Sequence, residues 1–216
     1  MIPKYQHVFV SLKVAFSPFK KVYELLGIAH VDFAKFFELW RSDGTAAGTI
    51  LLRQYQGIRG ERQNDEAITP AALGSKLIFA ADDGVAGLEV WVSDGTPGGT
   101  LMLKDIYPAG IGSCPAYMKS VGNTVYFSAS DPDYAAYWGD PMAGELWQTD
   151  GTAKGTSLVK DIHSGPEGSG PRYFTAIGKD VFFTAFDANH ALGLWKTDGT
   201  DSGTVLVRSF GGYLSG

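Results

Sequence analysis

Four times in this chain a tryptophan is followed three residues on by Asp-Gly-Thr and, at a fixed distance beyond, by Gly-Thr. The copies are Trp40 with Asp43-Gly44-Thr45 and Gly48-Thr49, Trp91 with Asp94-Gly95-Thr96 and Gly99-Thr100, Trp147 with Asp150-Gly151-Thr152 and Gly155-Thr156, and Trp195 with Asp198-Gly199-Thr200 and Gly203-Thr204. The tryptophans are 51, 56 and 48 residues apart. A unit of that length is too short to enclose a core of its own, so its apolar face must be buried on a neighbouring copy. The chain is therefore expected to be an array of repeats.

The content of each repeat is β. Glu145-Leu146-Trp147-Gln148-Thr149 alternates with a period of two, and Ser157-Leu158-Val159-Lys160 follows its Gly-rich turn as a short apolar run closed by a cation. That pairing predicts a hairpin. A second hairpin precedes copies two to four: Leu73-Gly74, Val121-Gly122 and Ile177-Gly178 each lead through a tight turn into Leu77-Ile78-Phe79, Val125-Tyr126-Phe127 and Val181-Phe182-Phe183. Glycine supplies the backbone freedom that such a turn demands. The expected unit is thus four antiparallel strands, A to D in chain order, and the expected fold is all-β, a β-propeller-like array of three complete blades plus one partial blade. A β-solenoid is the competing architecture, but its rungs are shorter. The four tryptophans, Trp40, Trp91, Trp147 and Trp195, are expected as core wedges between blades.

Residues 1–37 do not follow the repeat. Within them residues 18–26, from Pro18 to Leu26 with Ser17 before and Gly27 after, read as a short helix with a cap and a terminal glycine; the alternative is a degenerate half-blade. The repeat domain is expected over 38–216. An incomplete ring leaves an open sheet edge, through which the chain is expected to be able to self-associate.

Composition excludes some functions. The net charge is −5 and the basic residues are scattered, so no nucleic-acid partner is expected. Lysines interrupt the apolar residues of Met1 to Lys21, and no run approaches a membrane span, so neither a signal peptide nor membrane insertion is expected. Cys114 is the single cysteine and reports nothing of compartment.

The four copies resemble the ELWxxDGT repeat family, whose units occur in bacterial proteins, often large and predicted to be exported. The resemblance runs from about Glu38 to Phe210 and is fullest in copy three, with Gly144-Glu145-Leu146-Trp147, Thr149-Asp150-Gly151-Thr152 and Val159-Lys160-Asp161-Ile162. Copy four departs at Gly193, where the family has Glu, and at Ser209, where it has Asp; copy one has Gln54-Tyr55 in place of Asp-Ile. The resemblance implies a repeat scaffold of the cell surface or exterior and assigns no activity to any residue.

Asp43, Asp94, Asp150 and Asp198 are expected as turn residues, accepting bonds from backbone N–H groups two or three residues on. Calcium binding is the other reading of those carboxylates, but one carboxylate per loop is too few for it. No catalytic residue, metal or cofactor is expected. A ligand would be met by the B–C and D–A loops, opposite the Asp-Gly-Thr turns. From the strand-B phenylalanine to the tryptophan the B–C connection takes 12 residues in copies two and four and 20 in copy three. The excess holds Asp133, Tyr134, Tyr137, Trp138 and Asp140, aromatic faces beside carboxylates that suit a sugar or a protein hot spot. His163 and His190 lie in a D–A and a B–C loop and are expected to be able to meet there. The leading expectation is a non-enzymatic scaffold or binding module for a glycan or a protein outside the cell. Two alternatives stand beside it: a hydrolase or lyase using Asp131, Asp133 or Asp140 with an arginine or histidine, and a structural fragment of a larger repeat protein.

Overall fold

The computed structural model describes residues 37–55, 70–108, 110, 112–130, 144–165 and 168–212. The proposed helix at 18–26 and the long B–C loop at 131–143 lie outside the described residues. Among those that are described, the chain is all-β: a hairpin of β1 (Phe37–Arg41) and β2 (Ile50–Tyr55), followed by three four-stranded antiparallel meanders. The second blade comprises β3 (Ala71–Leu73), β4 (Lys76–Asp82), β5 (Leu88–Ser93) and β6 (Leu101–Lys104). The third comprises β7 (Ala116–Val121), β8 (Thr124–Ser130), β9 (Gly144–Thr149) and β10 (Ser157–Lys160), and the fourth β11 (Arg172–Ile177), β12 (Asp180–Phe186), β13 (Ala191–Thr197) and β14 (Val205–Gly212). This is a propeller-like array of blades. The first strand takes in Phe37, opposite Tyr55, one residue ahead of the boundary expected from the repeat.

The blades stack in chain order because alternate residues of each central strand serve different neighbours. In β4, Leu77, Phe79 and Ala81 pack on the leading hairpin, whereas Ile78 and Ala80 pack on the third blade. Phe79 lies directly across from Trp91, Phe127 from Trp147, and Phe183 from Trp195. Each Phe–Trp pair faces the preceding blade, and a cross-strand aromatic pair is the unit that a pleated face packs best. Beside every tryptophan the D strand carries one extra residue, a bulge at Leu52, Leu103, Val159 and Val207. The bulge turns that side chain toward the following blade, where Leu52, Leu103 and Val159 are buried.

Copies one and four differ at the end of strand D, and their departures from the repeat explain it. In blades two and three the chain leaves the sheet after the lysine, at Asp105-Ile106 and Asp161-Ile162. Where Gln54-Tyr55 or Ser209 stands instead, the strand runs on, and β14 continues pairing through Ser209 opposite Gly193 to Gly212 opposite Ala191. The cation therefore does not close strand D in those two copies, as it does in the second and third blades.

The Asp-Gly-Thr turn is built identically four times. In the third blade Asp150 Oδ1 accepts the N–H and the hydroxyl of Thr152, at 2.9 and 2.6 Å. Gly155 N–H donates to Thr152 Oγ1 at 3.0 Å, and the Thr149 and Thr156 hydroxyls meet at 2.7 Å. These bonds hold the Asp carboxyl below its ordinary value, the Thr152 hydroxyl foremost. The second glycine of the motif is explained by contact: a Cβ on Gly155 would collide with the Asp150 carboxylate, and the same holds at Gly48, Gly99 and Gly203. Gly155→Ala is expected to lower stability by about 1–3 kcal/mol in thermal unfolding. Gly98→Ala, which points into open space, is expected to be neutral or to stabilise by about 0.5 kcal/mol.

Candidate functional site

At the opposite end of the blades, the glutamates two residues before Trp91 and Trp147 organise the loops. Glu89 and Glu145 begin strand C on the same face as Trp91 and Trp147, and both are buried. A buried carboxylate must be given donors. Glu89 Oε1 accepts the N–H groups of Tyr107 and Ser113, at 2.9 and 3.0 Å, and Oε2 accepts the Ser113 hydroxyl at 2.6 Å. Glu145 Oε2 accepts the Ile162 N–H at 2.8 Å and the Ser169 hydroxyl at 2.7 Å, and Oε1 accepts the His163 N–H at 3.2 Å. Burial pushes both carboxyls up against the pull of these donors, Glu145 to about 7.

The loop so held joins two blades. It reads Gly112-Ser113-Cys114-Pro115-Ala116-Tyr117 after the second blade and Gly168-Ser169-Gly170-Pro171-Arg172-Tyr173 after the third, each serine 24 residues beyond its glutamate. On one side Cys114 N–H donates to Leu88 O, and Ser169 and Gly170 N–H to Gly144 O; on the other Ser113 O accepts from Ser130 N–H, and Ser169 O from Phe186 N–H. A Cβ at Gly112 would strike the backbone of Leu88, which is why glycine precedes the serine. These two glutamates thus fasten the second blade to the third and the third to the fourth at the loop end, as the tryptophans do in the core. This function was missed by reasoning from the Asp-Gly-Thr motif; the recurrence of Gly-Ser-x-Pro-x-Tyr at 56 residues was the available signal.

His163 and His190 are brought together, their rings edge to face with centroids 4.9 Å apart. His163 is buried, because Glu145 holds its N–H and its Nδ1 lies 3.1 Å from Gly168 O. A carbonyl can only accept, so Nδ1 is the donor in this bond. His190 is exposed at φ +55°, on a turn whose Asp187 Oδ1 accepts the N–H groups of Asn189 and Ala191. Asp133, Tyr134, Tyr137, Trp138 and Asp140 lie outside the described residues, as does Asp131. Gly144, at the far end of that connection, is bonded to the loop that carries His163.

Each Asp-Gly-Thr carboxylate has one oxygen committed to its own threonine, and among the described residues no three His, Cys, Asp or Glu side chains gather where a metal ion could be held. Nor, among the described residues, is any helix long and apolar enough to cross a membrane.

No family model matches the chain, and no curated protein is significantly similar to it. Among solved structures, TolB from Acinetobacter baumannii aligns at 8% identity and a TM-score of 0.47, covering 81% of this chain and 38% of TolB. A putative TolB from Agrobacterium tumefaciens aligns at 13% identity and 0.41, covering 82% and 62%, and a GH43_1 enzyme from Xanthomonas citri at 10% and 0.34, covering 84% and 67%. This chain thus spans less than two thirds of either TolB.

Proposed function

We propose that the chain is a non-enzymatic binding module of the ELWxxDGT repeat type, recognising a glycan or a protein outside the cell through its B–C and D–A loops. The observation that carries this reading is the patch built on the Glu145 clasp. One D–A loop of fixed backbone bears His163, meets His190 of the next blade, and is bonded to Gly144 at the root of the longest B–C connection. Binding and recognition residues sit preferentially on such loops, held by a rigid scaffold. The sequence concentrates aromatic and acidic residues between Ser130 and Gly144, and it is Gly144, the described end of that stretch, that is bonded to the loop bearing His163.

A glycan array probed with the 216-residue chain tests this directly. Wild-type binding is expected to fall at least about 10-fold in Trp138→Ala, the loss of about 1.4 kcal/mol or more that an aromatic anchor carries, and to fall also in His190→Ala. Asp43→Ala, at the opposite end of the blades, should leave it unchanged. If the wild type retains no glycan and no protein from an extracellular extract, the binding-module reading fails. If it binds and neither loop variant alters the signal, the site lies elsewhere.

A further inference from the structure

Every junction between consecutive blades uses the same two half-interfaces, and among the described residues one copy of each half is left uncovered. The half that a blade offers to its successor is complete on the fourth blade. Its bulge residue Val207 occupies the position of Leu52, Leu103 and Val159, yet it is 48% exposed where each of those is 6%. Tyr173, the counterpart of Tyr117, is 73% exposed, whereas Tyr117 packs against the core shared with the next blade.

Polar partners are in place as well. Arg53 lies over the Trp91 ring at 4.4 Å and Lys104 near the Trp147 ring at 5.9 Å; Arg208 holds that register position on the fourth blade. Arg41 and Gln148, each the residue after a tryptophan, donate to the carbonyls of Gly95 and Gly199 in the next Asp-Gly-Thr turn. Lys196 stands at the same place.

The complementary half is exposed on the leading hairpin. Trp40 is only half-buried, and Leu51 across from it is 37% exposed. The space beside Gly151 and Gly199 is filled by Leu73 and Tyr126 of the preceding blades, while among the described residues that beside Gly44 is empty.

We infer that the uncovered face of the fourth blade docks the leading hairpin of a second copy of this chain, repeating between molecules the contact made three times within one. The occupant follows from continuity: the hairpin carries the tryptophan and the turn that this face accepts at each internal junction. Such a contact joins two different surfaces, head to tail. It differs in kind from symmetric edge pairing through β14.

The test uses light scattering on the full chain from about 1 to 100 µM, with Val207→Asp and Leu51→Asp, both at exposed positions and both checked for wild-type circular dichroism. The wild-type mass is expected to rise above 23.2 kDa with concentration, and each variant alone to show no more than a 23.2 kDa monomer. An equimolar mixture of the two variants should regain a dimer and nothing larger, because each retains the half that the other has lost. A milder variant, Arg208→Glu, should weaken association about 5-fold or more. A wild type that stays monomeric throughout overturns the inference. So does association that survives both aspartates, or a mixture that remains monomeric.

Discussion

Trp91→Ala is expected to cost about 3–5 kcal/mol, the range for emptying a buried aromatic site. Trp91 is almost wholly enclosed. Its ring meets Tyr55 edge to face at 5.2 Å, it lies across the sheet from Phe79, and Arg53 sits over it. Its indole N–H donates to Ala81 O at 2.9 Å. Truncation leaves a cavity at the junction of the hairpin and second blade, and in a repeat array that loss falls on one nearest-neighbour interface. The expected signature is therefore local. The β1–β2 hairpin should detach before the remaining blades unfold, seen as early proteolysis in that hairpin and a separate low-denaturant phase. Trp147→Ala, at a half-buried site, should cost less, and a single cooperative transition for Trp91→Ala would contradict stacking as the source of its stability.

The blades were legible because their strands carry their own signals. The tryptophan and the strand-B phenylalanine fall on one face by register, and glycine marks both the A–B and the C–D turns. The junctions were less legible for a physical reason. Glu145 bonds mainly to backbone N–H groups of Ile162 and His163, and a backbone donor leaves no trace in residue identity. Only Ser169 records the contact, and it stands 24 residues away. The bulge was hidden similarly: Leu101-Met102-Leu103 is uniformly apolar, so no alternation marks Leu103 as the residue turned toward the next blade. The meeting of His163 and His190 was foreseeable from loop order alone, whereas the burial of His163 depends on the unseen clasp.

That clasp makes stability depend on pH in a stated direction. The Glu145 carboxyl is pushed up to about 7 from an ordinary 4.5, with burial the largest cause. Between those values the folded chain holds a proton that the unfolded chain has released, so this contribution is complete below about pH 4.5 and is lost as pH rises through about 7. From about pH 5 to pH 8 the loss amounts to about 2–3 kcal/mol. The turn carboxylates Asp43, Asp94, Asp150 and Asp198 have lowered values, so their contributions fade only under more acidic conditions, outside this window. Glu145→Gln offers one acceptor oxygen where the carboxylate has two, leaving a buried N–H unpaired at about 1–3 kcal/mol. Denaturant titrations of the two proteins should show their largest difference near pH 5 and a gap that narrows by about 2–3 kcal/mol toward pH 8. A gap independent of pH would mean that Glu145 stays ionised throughout and that its cradle of three donors outweighs burial. Glu145→Ala removes every acceptor at once and strands the Ile162 and His163 N–H groups and the Ser169 hydroxyl. It should cost about 3–5 kcal/mol, and hydrogen exchange should rise first at Ser169 and Phe186, where the loop stitches the third blade to the fourth.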